Sequence, residues 1–249
     1  MKKTFFLLLI LTITSCVTST NPLVIGHRGA RGHVAENTVA SVKKALELGV
    51  DGIEIDVFLC ASGELVVFHD KTLEQLTDAT GYIEELTLDS IQRITVVGRE
   101  PIPTLNEVLD ITAGTTVLNI ELKGTGTAAP TAVLLDTYFK TGALKPEEVF
   151  ISSFNWNELE LFYVATQEVA IAVLTEDDPV DAIPTAQKLN AFAINPNFRS
   201  LNEKNVSKIH AAGLKIYPWT INESADIEEM KRLGVDAIIT DFPERVYPE

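Results

Sequence analysis

The feature that most constrains this chain is a rhythm in its second half, where short apolar runs alternate with helix-length amphipathic segments. Runs at 117–122, 149–152, 169–174, 192–195, 214–217 and 237–240 read as strands. The segments between them, at 128–139, 157–165, 181–189, 202–211 and 223–233, read as helices. Strands that are apolar throughout need cover on both faces, which implies a parallel sheet with helical crossovers. Two more strands come earlier, at 23–25 and from Gly52. A helix from about Thr38 to Leu48 separates them, with Asn37 as its N-cap and Gly49 as its stop. Eight parallel strands is the number that closes a (β/α)8 TIM barrel. No Pro/Gly/Ser-rich linker or charge block divides the chain, so 23–249 reads as one α/β barrel domain.

The second strand belongs to the stretch Asp51 to Asp70, DGIEIDVFLCASGELVVFHD. Side chains alternate faces along a strand, so Glu54 and Asp56 project from the same one. Two unpaired carboxylates in an apolar strand are costly unless a divalent cation lies between them, and oxygen ligands suit Mg²⁺ or Ca²⁺. Ala61-Ser62-Gly63 marks a turn, and 64–68 reads as a returning arm outside the barrel count. A two-residue Ser62-Gly63 loop sets His69 opposite Asp56, whereas a three-residue loop turns it away. The polar segment from Asp70 to Leu105 holds one amphipathic piece at 86–94. It reads as a small insertion over the barrel mouth.

Barrel enzymes carry their sites where strands end. Here those ends present His27 and Arg28, Glu54 and Asp56 with His69 nearby, Glu121 and Lys123, Trp219, and Asp241. Residues 48–56 and 233–241 share the skeleton Leu-Gly-Val-Asp-x-Ile-x-x-Asp, which sets Asp56 and Asp241 at equivalent strand ends. Carboxylates for a hard cation, two histidines for proton transfer and two cations for anionic oxygens describe phosphoryl transfer. A glycosidase needs the carboxylates but neither the histidines nor the cations. His33 and His210 have no partners in the pattern and read as surface residues. Asp70 reads as a loop cap, and Glu36 either pairs with Arg28 or faces solvent.

The motifs Gly26-His27-Arg28-Gly29-Ala30, Glu36-Asn37-Thr38, Glu54-Ile55-Asp56-Val57, His69-Asp70, Glu121-Leu122-Lys123, Trp219-Thr220 and Thr240-Asp241-Phe242-Pro243 resemble the glycerophosphodiester phosphodiesterase family. The resemblance runs in unbroken order from about Val24 to Pro243. It implies a barrel of the phospholipase-C-like type with one divalent cation, cleaving glycerophosphodiesters to glycerol 3-phosphate and an alcohol. It further implies His27 and His69 as the acid/base pair, Glu54, Asp56 and Glu121 as metal ligands, and Arg28 and Lys123 as phosphate contacts; Trp219, beside Thr220 at a strand end, reads as a substrate-facing wall in preference to a barrel-top packing residue. Ala35 departs from the proline usual before Glu-Asn-Thr. Related barrels include sphingomyelinase D and phosphatidylinositol-specific phospholipases, so a lipid-cleaving activity is the alternative. A non-catalytic surface-binding protein is a further one.

The amino terminus has the layout of a secretory signal peptide: Met1-Lys2-Lys3, an apolar run from Phe5 to Leu11, then Ile13-Thr14-Ser15-Cys16. The residues before Cys16 resemble a bacterial lipobox, which implies residues 1–15 as the leader, Cys16 as the lipidated residue and 16–22 as a tether. The expected location is exported and lipid-anchored to a bacterial membrane, periplasmic or at the cell surface. Lipidation would leave Cys60 without an intrachain disulfide partner. Loss of the leader leaves 18 basic against 35 acidic residues, a net charge of −17. Such a surface disfavours nucleic acid, so the expected partners are a small glycerophosphodiester and, through the anchor alone, a membrane.

Overall fold

A computed structural model describes residues 21–97 and 99–248; residues 1–15, expected to be a leader, and Cys16 lie outside the described residues. In chain order the elements are β1 (Leu23–Gly26), α1 (Val39–Glu47), β2 (Gly52–Leu59), β3 (Leu65–Val67), α2 (Leu88–Ile91), β4 (Thr95–Val96) and β5 (Glu100–Pro101). Next come α3 (Leu105–Thr112), β6 (Val117–Leu122), α4 (Ala128–Thr141), β7 (Val149–Ser153), α5 (Trp156–Ala165), β8 (Ala170–Thr175) and α6 (Ile183–Lys188). The chain ends with β9 (Ala193–Pro196), α7 (Glu203–Ala211), β10 (Lys215–Ile216), α8 (Ser224–Leu233) and β11 (Ala237–Thr240).

Eight of the strands are parallel neighbours in the order β10-β9-β8-β7-β6-β2-β1-β11. The seam between β10 and β11 is bridged where Asp236 N–H donates to the Ile216 carbonyl and Ile239 N–H to that of Pro218, both at 3.0 Å. The result is the nearly closed (β/α)8 barrel that the strand rhythm implies. Helices pack apolar stripes against its outside; α8, for example, buries Ile227, Met230 and Leu233. Inside, the floor is apolar: Ile25, Phe150, Ala172, Ala193, Tyr217, Ala237 and Ile239 form one cluster. Above it comes a polar layer in which Ser152 Oγ donates to Asn119 Oδ1 at 2.8 Å. Glu54, Asp56 and Glu121 stand above that, at the strand ends.

Three local expectations change. The hairpin loop has three residues, since Leu59 pairs with Leu65 and Cys60 N–H donates to the Glu64 carbonyl. Thr38, rather than Asn37, caps α1 by accepting from Ser41 N–H. A helix not expected from the polar look of the region, α3, is nucleated by a capping box between Thr104 and Glu107.

The insertion also differs in place and character. It has its own core of Leu73, Ile83, Ile91, Val96 and Ile102, all buried against Phe58 and Phe68. Among the described residues, none between Asp70 and Pro103 lines the central cavity, so the described part of the insertion flanks the barrel mouth instead of covering it.

Candidate active site

The loop after β1 is the tightest part of the rim. A Cβ on Gly26 would run into the Gly29 carbonyl, and one on Gly29, at φ +85°, would run into Ser41. Only glycine fits both positions. The turn they permit puts Arg28 at φ +51° and aims its N–H at Glu54 Oε2, 2.8 Å away.

Glu54 and Asp56 share a face of β2, as strand alternation requires. The third carboxylate arrives through register: Asp56 lies beside Glu121 on parallel β6. One oxygen from each of Glu54, Asp56 and Glu121 falls within 4.8 Å of the others, and all three residues are buried. Glu54 Oε1 is buried without any hydrogen-bond partner. A buried orphan acceptor beside two further carboxylates is the donor set of a hard divalent cation, so the residues present fit one.

The electrostatics follow from this crowding. Burial, then repulsion from Asp56 and Glu121, pushes the Glu54 carboxyl well above its ordinary range. Burial and then Asp56 push Glu121 up to about 8. Burial acts the same way on Asp56, but Arg28 and Lys123 outweigh it and hold that carboxyl low. Arg28 Nε lies 3.5 Å from Asp56 Oδ2, while Lys123 Nζ lies 3.1 Å from Glu121 Oε1 and 3.7 Å from Asp56 Oδ1.

Both histidines reach this cavity, each held by a carboxylate. His27 Nδ1 is 2.6 Å from Asp241 Oδ1, which leaves Nε2 turned towards Glu54 at 3.9 Å. His69 Nδ1 is 2.6 Å from Asp70 Oδ1, with Nε2 3.1 Å from Lys123 Nζ. His69 arrives although the three-residue loop should turn it away: β3 stops at Val67, and the chain leaves the ladder before His69. Burial, as the leading cause, lowers both imidazoles; the Asp241 hydrogen bond offsets it in part at His27, and the charge of Asp56 at His69.

Glu36 is buried and joins Arg28 Nη1 at 2.5 Å to Arg31 Nε at 2.6 Å, which resolves its pairing in favour of Arg28. Asn37, in the left-handed region at φ +56°, donates to Asp56 Oδ2 at 2.8 Å and accepts from Asp56 N–H at 3.2 Å. His33 and His210 sit outside the cavity, on Glu244 and Asp236 respectively.

The cavity, about 640 Å³, is lined by His27, Arg28, Glu54, His69, Glu121, Lys123 and Trp219, all named from the strand ends. Sequence reasoning missed Phe154, Trp156, Glu176 and Asp177, which also line it. Their one legible signal was position, just beyond β7 and β8.

Comparison with known proteins places this arrangement. Residues 27–245 match the glycerophosphoryl diester phosphodiesterase family. A glycerophosphodiester phosphodiesterase of Caldanaerobacter subterraneus is 36% identical over 237 residues, covering 89% of this chain and 95% of its own. One from Bacillus altitudinis is 32% identical over 234 residues, with the same coverage. Among solved structures, an Oleispira antarctica phosphodiesterase in complex with the product sn-glycerol-3-phosphate superposes with a TM-score of 0.82 at 29% identity, covering 90% of this chain and 95% of that one. The family match runs from the residue after β1 to beyond β11 and takes in every strand end that forms the cavity, so this chain belongs to the glycerophosphoryl diester phosphodiesterase family and is a phosphoric diester hydrolase.

Proposed function

We propose that the chain hydrolyses glycerophosphodiesters to glycerol 3-phosphate and an alcohol, using a divalent cation and two histidines. The observation that carries this reading is the convergence of two carboxylate-held histidines and a carboxylate triad on one cavity, with Glu54 and Glu121 lining it and Asp56 buried behind them. Glu54, Asp56 and Glu121 would hold the cation. When bound it supplies positive charge for a non-bridging phosphate oxygen, and hard-ligand chemistry favours Mg²⁺ or Ca²⁺. Arg28 and Lys123 spread the remaining phosphate charge. Their own pairing with Asp56, Glu36 and Glu121 fixes them before substrate arrives. Asp241 and Asp70 would each take the Nδ1–H of a histidine, which turns Nε2 of His27 towards the triad and Nε2 of His69 towards Lys123, where the phosphate would sit. Burial lowers both imidazoles, which favours one of them neutral at Nε2 to accept a proton, while the other must enter the step carrying a proton on Nε2, paired with its carboxylate, to act as the acid. One takes the proton of the attacking oxygen and the other returns one to the leaving alcohol. Trp219 stands as a wall of the same cavity.

Phosphorus NMR of glycerophosphocholine turnover tests the reading. Glycerol 3-phosphate should form with added cation and stop on chelation; turnover indifferent to chelation would remove the triad's role. We further propose that residues 1–15 are a leader and that Cys16 carries lipid, so that the barrel is exported and works on diesters outside the cytoplasm.

A further inference from the structure

The two sides of the central cavity differ in chemistry. One holds the histidines, the triad, Arg28 and Lys123. The other is built by the segments that leave β7, β8 and β10, through Phe154, Trp156, Glu176, Asp177 and Trp219. The indole N–H of Trp156 donates to the Leu174 carbonyl and that of Trp219 to the Asn195 carbonyl, both at 2.9 Å. With their donors occupied, the indoles meet the cavity as aromatic carbon. Phe154, 40% exposed, packs edge-on against Trp219 with ring centroids 5.3 Å apart. Ring faces attract cations, and Lys123 Nζ already lies 5.9 Å from the Phe154 centroid.

Charge pairing sharpens the contrast. His27, Arg28, Arg31, Glu54, His69, Glu121 and Lys123 each have an oppositely charged or titratable partner within 4 Å. Glu176 and Asp177 have none among the described residues, and both are exposed. Uncompensated carboxylates beside aromatic carbon suit an ammonium group, and a quaternary one best, because it offers charge without N–H donors.

We propose that this side of the cavity is the subsite for a cationic leaving alcohol of the choline or ethanolamine kind. The chain then prefers zwitterionic glycerophosphodiesters to those carrying a neutral polyol. This rests on the phosphodiesterase reading above.

Two measurements on the full chain with its cation test it. The first compares kcat/KM for glycerophosphocholine, glycerophosphoethanolamine and glycerophosphoglycerol. The wild type should favour the two cationic diesters by about three- to tenfold, the range expected of a weak cation–aromatic contact joined to exposed carboxylates. Glu176→Gln with Asp177→Asn should bring the ratio towards one, and Phe154→Leu should lower the choline ratio more than the ethanolamine ratio. The second reads binding without turnover, by saturation-transfer NMR of choline, with transfer in the wild type and less in the double variant. Equal kcat/KM for all three diesters in the wild type, or an unchanged ratio in the double variant, would overturn the subsite. So would absence of choline binding. A wild type inert on all three diesters that still binds choline would instead sink the phosphodiesterase reading and leave the cation subsite standing.

Discussion

Asp70 and Asp241 each sit 2.6 Å from the Nδ1 of a histidine, and neither was marked for that task by its local sequence. If His27 and His69 divide the two proton transfers, alanine at either should cost about 10² to 10⁴-fold in kcat with the cation still bound. The double variant should lose less than the product of the two, because the pair acts as a unit. Asp241→Asn keeps the shape but favours the wrong imidazole tautomer. Its kcat should fall while KM moves little, and its pH–rate profile should shift. Glu121 invites a different measurement, because its carboxyl is raised to about 8. A folded-state pKa above the unfolded one means the chelated native state holds a proton that the unfolded chain has released. That contribution to stability is present below about 4.3 and is lost as pH rises through about 8. Glu121→Gln removes the titration and mimics the protonated form. In chelated protein its thermal midpoint, relative to wild type, should therefore climb between pH 5 and pH 8. A constant difference would contradict the raised pKa. The same variant should lose cation affinity.

At the scale of elements, the insertion is a folded unit and its core can be probed directly. Leu73 and Ile83 are fully buried in it, so Ile83→Ala should destabilise the protein by about 2 to 5 kcal/mol, read by denaturant unfolding. Because its residues do not line the cavity, a variant that still folds should keep its turnover. The capping box at Thr104 is a smaller matter: Thr104→Ala should cost about 1 kcal/mol. The hairpin shows that His69 reaches the cavity by a route other than strand register. Strand register would govern the histidine only if β3 continued to it; the arm has three residues, and His69 takes its position from the loop beyond it.

For the whole molecule, the barrel sets the cavity and the start of the chain's first strand at opposite ends. Leu23 opens β1 at the N-terminal face and His27 follows β1 at the catalytic face. Residues 16–22 reach at most about 25 Å when fully extended. On the proposed Cys16 anchor, the N-terminal face lies nearest the membrane and the cavity opens away from it. Cys16→Ser should release the protein in a detergent-partition assay. Protein reconstituted on vesicles should cleave a soluble diester while leaving the vesicles' own phospholipid intact; cleavage of that lipid would favour the phospholipase alternative.

Short-range periodicity is the part of this protein that the sequence determined by itself. Continuous apolar runs between amphipathic segments specify parallel strands and their covering helices, and alternation along one strand puts Glu54 and Asp56 on one face. The histidines, cations and carboxylates at strand ends were legible for the same reason, since a strand delivers its last residue to a known edge of the barrel. Tertiary structure decided the rest. Glu121 meets Asp56 through the register of two strands about 65 residues apart in sequence, and Asn37 clamps Asp56 from a left-handed turn. Asp241 reaches His27 only because the barrel closes and brings the last strand beside the first. The aromatic and acidic side of the cavity likewise comes from loops that are neighbours in space alone. Such contacts depend on where distant backbone segments stop and how they stagger, and no local pattern of residues encodes either.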